Sequence, residues 1–273
     1  MIAMNSRTGP PTAALLLVTL AGVVGLLPVG DAASPGRRPL PELITPRAQQ
    51  AIERGLEWLV GHQGRDGSWN ADGPMSVSTG YPCAMTGLAG LALMAGGHTP
   101  LEGRYADNVR RATDFVLNNA DRTGLIAGPR NTSRPMYGHG FGMLFLGEVY
   151  GMGSHPRRQK EMRRVLAAAI ELTARSQSKD GGWYYKPTSR TDEGSVTVTQ
   201  IQGLRACRNA GIKVPKSTID RATDYIRKCQ NKDGGISYRL GSRGTRPAIT
   251  AAAVATMYNA GEYENPVAHG ALN

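Results

Sequence analysis

The chain has few cysteines and no cysteine motif. Only three occur in 273 residues, Cys83, Cys207 and Cys229, and no two of them have the Cys-x-x-Cys spacing. Disulfide scaffolds and zinc ribbons need more cysteines, placed at such spacings. The sequence therefore excludes both classes. It predicts buried thiols and leaves open a bridge between Cys207 and Cys229.

The sequence also lacks an apolar run long enough to span a membrane. The run from Ala13 to Leu27 has 15 residues, whereas a spanning helix needs about 20. It follows Arg7 and precedes a segment of small residues that ends near Ala32, which is the order typical of a secretory signal peptide. We therefore expect residues 1–32 to be removed near Ala32, residues 33–45 to form a linker, and the mature protein to be exported.

Acidic and aromatic residues are both scarce. The chain has 21 Asp and Glu against 32 Lys and Arg, a net charge of +11, and only 6% aromatic residues. The basic residues are densest between His155 and Arg164, where no Phe, Tyr or Trp alternates with them. This pattern favours a solvated helix face and argues against a nucleic-acid partner. If the charge serves binding, an acidic glycan, an envelope polymer or a membrane surface fits better.

A segment of about sixteen residues recurs four times. The copies start at Arg54, Arg111, Ala168 and Arg221, which are separated by 57, 57 and 53 residues. The first reads RGLEWLVGHQGRDGSW and the fourth RATDYIRKCQNKDGGI. Repeats of this period are typical of arrays in which one supersecondary unit stacks on its neighbours.

Each repeat predicts a pair of helices. A segment with helical periodicity and one polar face leads into the glycine turn, and a nearly all-apolar segment follows it, as in AMTGLAGLALMAGG from Ala84 to Gly97. We therefore predict an all-α fold: an α/α toroid or an open arc of four helix-pair repeats with about eight helices, in which amphipathic outer helices alternate with apolar inner ones. The repeat domain covers residues 46–261. Residues 262–273 form a tail, expected to end without a helix, that could be the stub of a fifth repeat.

The copies resemble the QW repeat of the squalene-hopene cyclase and prenyltransferase β-subunit superfamily, in which a glutamine, a glycine and a tryptophan recur. The structural repeat residues that carry the resemblance are Gln63, Gly67, Trp69, Gln177, Gly181, Trp183, Gln230 and Gly234. The second copy has Ala120 in place of Gln, and the fourth has Ile236 in place of Trp. The likeness spans about residues 46–261 and implies the toroid fold. We expect the motif to join one helix pair to the next, with Gln satisfying backbone groups at the end of its helix.

The catalytic motifs of these relatives are missing from the sequence. Type II terpene cyclases protonate an olefin with an Asp-x-Asp-Asp motif, and the nearest acidic pair here is Asp192-Glu193, our candidate catalytic residues. Prenyltransferase β-subunits hold zinc with Asp, Cys and His, but this chain has no Asp-x-Cys and its five histidines show no ligand spacing. We therefore predict no metal and no cofactor.

The polar loops that lead into the inner helices are the remaining place for a site. The candidate binding residues are Arg134, Tyr137, His139, Tyr184, Lys186, Arg190, Tyr238 and Arg246. Arg, Lys and Tyr together suit a sugar acid or another anion. Two structural readings stay open beside this one. Asp192 and Glu193 could favour the start of the next helix through its dipole, and His139 could be a structural histidine.

Three functions are compatible with these features. The first is an exported binding or scaffold toroid for an apolar ligand or a protein partner. The second is a divergent enzyme of the cyclase or prenyltransferase type, and the third is an enzyme acting on polysaccharides, since helical toroids also host lyases. An open arc would expose apolar inner helices, which implies a partner or a homo-oligomer.

Overall fold

A computed structural model describes residues 44–70, 80–128, 133–153, 155–259 and 266–272. The chain divides into two units, Met1–Thr45 and Pro46–Asn273. The expected signal peptide and nearly all of the expected linker lie outside the described residues and stay predictions. The architecture below is that of the second unit.

The described residues form helices and no strand, which confirms the all-α prediction. The helices in chain order are α1 (Pro46–Gly61), α2 (Pro82–Ala95), α3 (Ala106–Asn118), α4 (Pro135–Val149), α5 (Pro156–Ser176), α6 (Gly194–Asn209), α7 (Lys216–Lys228), α8 (Pro247–Asn259) and α9 (Pro266–Leu272). The even-numbered helices α2, α4, α6 and α8 pack side by side in that order, and the odd-numbered ones lie behind them. The alternation of inner and outer helices is therefore as predicted, in four pairs followed by α9.

Glycines let the inner helices approach closely. A Cβ at Gly87 of α2 would stand 2.9 Å from the carbonyl oxygen of Phe141 in α4, and one at Gly147 of α4 would stand 2.9 Å from the side chain of Ala206 in α6. Neither neighbour can move away, because one is backbone and the other is a helical methyl group. Glycine in these helices therefore reduces helix propensity but permits tight interhelical packing.

The glutamines of the first and third turns join their repeats to the next ones. The amide of Gln63 donates to the carbonyl oxygens of Gly67 and Asn108, both at 3.0 Å. Gln177 repeats both bonds, to its own turn glycine at 2.8 Å and to Thr218 at 2.9 Å. Asn108 and Thr218 lie in the first turn of the following outer helix. The glutamine thus joins two repeats and does not cap its own helix, which differs from our expectation.

The turn tryptophans close the joint from the other side. The indole nitrogens of Trp69 and Trp183 donate to the carbonyl oxygens of Leu59 and Thr173, both at 2.8 Å. Both rings are buried, with 5% and 1% of their surface exposed. Each indole therefore fills apolar space while satisfying a carbonyl at the end of the preceding outer helix.

The turn glycines lie directly against the next outer helix. All four have a positive φ, between +82° and +105°, and a Cβ on any of them would overlap a backbone carbonyl oxygen of that helix. The pairs are Gly67 with Arg111, Gly124 with Ala168, Gly181 with Arg221, and Gly234 with Gly270. Only glycine satisfies both the conformation and the contact.

The last pair corrects the expectation for the tail. We predicted no helix in residues 262–273, yet α9 spans Pro266–Leu272 and packs against α8. Ala268 is fully buried, and Gly270 meets the turn glycine Gly234 as Arg111 meets Gly67. The apolar sequence PVAHGAL is too short to show helical periodicity, so only the packing reveals the helix. That α9 begins a fifth repeat remains a proposal.

Two further expectations concern charge and thiols. The basic start of α5 points its cations outwards, except for Arg158, which pairs with Asp114 of α3 and with Glu161. All three cysteines are free and buried, so Cys207 and Cys229 are not bridged.

Across the described ranges, no helix combines the length and apolar character needed to cross a membrane.

Candidate functional site

The N-terminal ends of the inner helices converge at one end of the array. The amide of Met136 in the first turn of α4 donates to the carbonyl of Tyr185 at 3.1 Å, and that of Gly194 at the start of α6 donates to the carbonyl of Tyr238 at 2.7 Å. The loop preceding each inner helix therefore lies on the start of its neighbour. Because helix N-termini carry a partial positive charge, this end of the array favours electron-rich groups.

Five tyrosines line this end, and we call them the tyrosine cluster: Tyr81, Tyr137, Tyr184, Tyr185 and Tyr238. Ring centroids are 5.8 Å apart for Tyr81 and Tyr137, 6.0 Å for Tyr137 and Tyr185, and 4.1 Å for the stacked pair Tyr184 and Tyr185. The hydroxyls of Tyr185 and Tyr238 are 2.5 Å apart. The cluster offers aromatic faces and hydroxyl groups on one surface, a combination suited to sugars or to amphiphilic ligands.

Arg134 covers the cluster. Its guanidinium carbon lies 4.5 Å from the centroid of the Tyr185 ring, in cation–π geometry. Partial burial acts to lower its pKa, but the hydroxyls of Tyr81, Tyr185 and Tyr137 outweigh that effect and raise the pKa above its usual value. Arg134 therefore stays charged, and its exposed side chain can pair with an anion at the cluster.

Two phenols of the cluster, those of Tyr137 and Tyr238, are held in the protonated form. Burial raises the pKa of Tyr137 to about 12. Burial, together with the hydrogen bond between the hydroxyls of Tyr185 and Tyr238, also raises the pKa of Tyr238. Protonated hydroxyls can both donate and accept hydrogen bonds, so the cluster can bind alcohols as well as anions.

Glu193 is committed to the start of α6. It is fully buried, and its carboxylate accepts from the amides of Ser195 at 2.8 Å and Val196 at 2.7 Å. The Ser195 hydroxyl also donates to it at 2.8 Å, and the Tyr137 hydroxyl lies 3.5 Å away. These donors occupy both carboxylate oxygens. Glu193 is thus an N-cap of α6 beneath the cluster, in agreement with the predicted role at the start of the next helix. Its carboxylate is occupied by these donors.

Asp192 belongs to the joint between repeats. Its carboxylate accepts from the hydroxyl of Ser178 in the third turn at 2.5 Å, and only 9% of the residue is exposed. It also faces Tyr225 of α7, whose pKa is raised chiefly by burial and further by Asp192. The two acid candidates are adjacent in sequence, but Asp192 bonds to the third turn and Glu193 to the start of α6, and both are buried.

His139 lies in the core, which corrects its assignment to the binding residues. It is fully buried, its Nδ1 accepts from the amide of Ile126 at 3.2 Å, and its Nε2 lies 2.9 Å from the hydroxyl of Thr173. That hydroxyl already donates to the carbonyl of Ala169, so Nε2 must be the donor in the contact. Both ring nitrogens are therefore occupied, and burial lowers the pKa of His139 to about 4.

The repeat explains why a histidine stands there. In the other three repeats a threonine at the same point of the inner helix accepts from the amide of the turn residue. The pairs are Thr86 with Trp69 at 3.0 Å, Thr197 with Trp183 at 3.0 Å, and Thr250 with Ile236 at 2.9 Å. His139 replaces the threonine of the second repeat, so aligning the inner helices would have identified it from the sequence.

The remaining basic candidates lie around the cluster. Lys186 is exposed on the rim of a cavity of about 640 Å³ beside Pro135, and Arg190 lines one of about 860 Å³ together with Arg175. Arg246 is exposed immediately before α8. The structure therefore brings Arg134 and the tyrosines together, and it leaves these three cations at the periphery.

Tyr81 was missing from the predicted site. It has a signal in the sequence, because α2, α4 and α8 all begin with a proline and Tyr81 precedes the first of them as Arg134 and Arg246 precede the others. Tyr185 lies beside Tyr184 in one of the polar loops that the sequence indicated, and its ring stacks on that of Tyr184.

An apolar surface continues from the cluster along the inner helices. Tyr137, Phe141 and Leu144 share one half-buried face of α4. On α2, Met85 and Leu88 are exposed to 37% and 41%. The close contact of Gly87 with Phe141 places these two faces side by side. We call this surface the apolar wall.

The comparisons with known proteins give distant relatives. No protein-family model matches the chain. A drimenyl diphosphate synthase of Streptomyces showdoensis is 25% identical over 74% of this chain and 35% of that protein. A squalene-hopene cyclase of Bradyrhizobium diazoefficiens is 26% identical over 81% of this chain and 27% of that protein. A terpene cyclase-glycosyl transferase fusion protein of Humicola fuscoatra is 23% identical over 71% of this chain and 12% of that protein.

These similarities support a cyclase-like superfamily for the chain. The chain spans between 12% and 35% of the length of these three relatives. Among solved structures, it is similar to a mutant family 10 polysaccharide lyase from Cellvibrio cellulosa in complex with trigalacturonic acid. That likeness has a TM-score of 0.46 and 12% identity, and it covers 72% of this chain and 77% of the other.

Proposed function

We propose that the protein is an exported binding protein for an amphiphilic small molecule, held by the tyrosine cluster at its polar end and by the apolar wall along its body. The observation that carries the proposal is the continuity of the two surfaces: Tyr137 belongs to the cluster, and Phe141 and Leu144 continue from it along the same face of α4. Exposed apolar side chains beside a few convergent polar groups are typical of ligand sites.

The polar end favours an anionic or hydroxylated head group. Arg134 offers an exposed guanidinium above the rings, and the helix N-termini add partial positive charge. The apolar end favours a hydrocarbon, because Met85 and Leu88 expose apolar side chains there. An isoprenoid alcohol or diphosphate has both parts, and the terpene-related names of the relatives agree with this class.

A binding test can separate the two ends. The probes are a C15 isoprenoid alcohol and its diphosphate, titrated into purified mature protein by calorimetry. The variant Leu88→Gln should weaken both about tenfold, because it removes one aliphatic group that the bound ligand would cover. Arg134→Met should weaken the diphosphate only. Leu101→Gln and Arg157→Met, at exposed positions elsewhere, are the matched controls. Unchanged affinity of both probes for Leu88→Gln would remove the apolar wall from the proposal.

An acidic glycan is the second candidate ligand. The exposed cations Arg134, Lys186 and Arg190 around aromatic rings favour it, since sugars stack on aromatic faces and uronic acids pair with arginine. Oligomers of an acidic sugar are the probe. Binding that depends on Arg134 but not on Leu88, without binding of either isoprenoid, would select this ligand class.

A divergent cyclase-type enzyme is the second candidate activity, favoured by the sequence similarity to terpene cyclases. The two acids predicted for it are used by the helix cap and the repeat joint. Product analysis by mass spectrometry after incubation with the C15 diphosphate decides between binding and turnover. Products that persist in the Asp192→Asn, Glu193→Gln double variant would place the chemistry on other residues.

Export is tested separately from binding. The signal-peptide proposal predicts that the protein made in its own cells is found outside the cytoplasm and starts close to Ala32. Cell fractionation followed by N-terminal sequencing checks both points, and an intact Met1 on cytoplasmic protein would contradict them.

A further inference from the structure

Helix α1 carries an apolar face that no described residue covers. Ile52 is 42% exposed and Trp58 is 59% exposed, although both are large apolar side chains. Leu56 is the one residue of α1 that is buried. Trp58 stacks only on His62, one turn further along the same helix, with ring centroids 4.0 Å apart. An exposed tryptophan and isoleucine on one helix face indicate a missing partner.

The repeat shows what the face is for. In the alignment that starts at Arg54, Arg111, Ala168 and Arg221, the residues equivalent to Ile52 are buried, with at most 6% of their surface exposed. They are Val109, Leu166 and Ile219. Those equivalent to Trp58 are Phe115, Leu172 and Tyr225, of which Phe115 is half-buried, Leu172 is 5% exposed and Tyr225 fully buried. α1 therefore has the residue pattern of a helix that receives a turn from a preceding repeat.

The backbone of α1 gives the same indication. At the position of Gly55 the other three outer helices have fully buried alanines, Ala112, Ala169 and Ala222. Among the residues that the structure describes, nothing lies within 4 Å of where a Cβ at Gly55 would stand. The adjacent carbonyl, that of Arg54, is equivalent to those of Arg111, Ala168 and Arg221, which each meet a turn glycine. α1 thus presents this docking position, and no described residue fills it.

We propose that this face binds the fourth glycine turn, Gln230–Ile236, of a second copy of the chain, so that copies associate head to tail. Residues 1–45 contain no glutamine-glycine turn. The first three turns are each followed by an outer helix of at least 13 residues, whereas the fourth is covered by α9, which has seven. Among the described residues, the fourth turn therefore has the shortest covering helix.

The internal joints define the contacts expected across the new interface. Gln63 and Gln177 donate to the carbonyls of Asn108 and Thr218, so Gln230 would donate to the equivalent carbonyl, that of Ala51. Arg111 donates to the carbonyl of Gly64 at 3.3 Å, so Arg54 would donate to that of Asn231. Trp58 and Ile52 would then lose their exposure, as their equivalents do.

The association would be heterologous, because two different surfaces meet. Such contacts produce closed rings or open chains, depending on the rotation between copies. In this arrangement α9 competes with the α1 of another copy for the fourth turn, so it limits assembly. The proposal is independent of any ligand at the tyrosine cluster.

Sedimentation velocity of the full mature chain, from about 1 to 100 μM, tests the proposal. Wild-type protein should self-associate, and Trp58→Ala should weaken that association at least about thirtyfold, as expected for a central interfacial tryptophan. Leu101→Ala, at a residue that is 57% exposed, is the matched control and should change nothing. Ala268→Asp, which loosens α9 in the full chain, should strengthen association about tenfold by freeing the turn.

Three results would overturn it. The first is a monomer at every concentration for both the wild type and Ala268→Asp. The second is association that Trp58→Ala does not weaken, which would place the contact elsewhere. The third is association that Trp58→Ala weakens but Ala268→Asp leaves unchanged, which would mean that α1 meets another surface, such as a second α1. Circular dichroism of each variant establishes that the helices are intact.

Discussion

The Nδ1 atom of His139 accepts a hydrogen bond from the backbone amide of Ile126 at 3.2 Å, in the place where the other repeats use a threonine hydroxyl. An imidazolium has protons on both nitrogens and could not accept this bond. The second repeat is therefore joined by a group that titrates, whereas the others are joined by groups that do not.

This difference predicts acid sensitivity at one joint. The pKa of His139 is lowered by burial to about 4 from an ordinary value of 6.5. The unfolded chain therefore binds more protons in this window, and the stability present above pH 6.5 is lost as the pH falls towards 4, by about 3 kcal/mol. Asp121 and Arg175 are the charged groups that also act on the ring.

The test is the variant His139→Thr, which installs the residue used by the other repeats. Denaturant unfolding between pH 7 and pH 4 should show a flatter pH dependence for the variant than for the wild type. The exposed residue His155 gives the matched control His155→Thr, which should keep the wild-type slope. Identical slopes for all three proteins would show that His139 does not govern the acid response.

Substitution of a turn glycine should destabilise the protein in two ways. The positive φ of the glycine is one cause, and its contact with the next outer helix is the larger one. Gly181 has φ +105°, and a Cβ there would overlap the carbonyl oxygen of Arg221. Gly151 has φ +90°, but no described atom lies within 4 Å of its Cβ position. We expect Gly151→Ala to cost about 1 kcal/mol and Gly181→Ala about 3 kcal/mol or more, because the joint must open. Equal costs in thermal unfolding would contradict the contact.

Loss of the Glu193 carboxylate should reduce stability. Gln in its place accepts fewer hydrogen bonds and carries no charge to balance the N-terminus of α6, so Glu193→Gln should cost about 2 kcal/mol. Glu148, exposed on α4, supplies the control Glu148→Gln, with a change below about 0.5 kcal/mol. Urea unfolding measures both. A variant as stable as the wild type would remove the capping role and restore Glu193 as a candidate for chemistry.

The thiols should be unreactive until the protein unfolds. Burial raises the pKa of Cys83 and Cys207 to about 12 and that of Cys229 to about 11. At pH 8 the thiolate population is therefore very small, and the sulfurs are shielded from reagents. An aromatic disulfide reagent should count no thiol in the native protein and three in denaturant without reductant. A count of one would indicate the bridge between Cys207 and Cys229.

Most of the architecture could be predicted from the sequence because it repeats. A 3.6-residue apolar period and a glycine at the end of a helix are local signals. Because four copies repeat them in register, the alternation of outer and inner helices could be predicted. The helix α9 was missed because seven residues are too few to show a period. The role of the turn glutamine was half-predicted: its amide does satisfy backbone carbonyls, but they belong to its own turn and to the next repeat.

The candidate site was less predictable. The sequence identified the polar loop residues Arg134, Tyr137, Tyr184 and Tyr238. A polar loop sequence does not show, however, which way each side chain points. Asp192 and Glu193 are consecutive in the sequence, yet one bonds to the third turn and the other caps α6. His139 follows Tyr137 by two residues, which turns it towards the opposite side of the helix and into the core.

The sequence by itself determined the helix pairs, their order and the glycine turns between them, since each depends on local periodicity and backbone geometry. Tertiary structure decided which polar side chains are used by the repeats themselves and which remain at the surface. The reason is that a hydrogen-bond partner is set by distance in space: Gln63 and Asn108 bond although 45 residues separate them. The same holds for the exposed face of α1. A tryptophan is buried or exposed according to the elements that pack against it, and the residue type alone does not show that Trp58 is exposed.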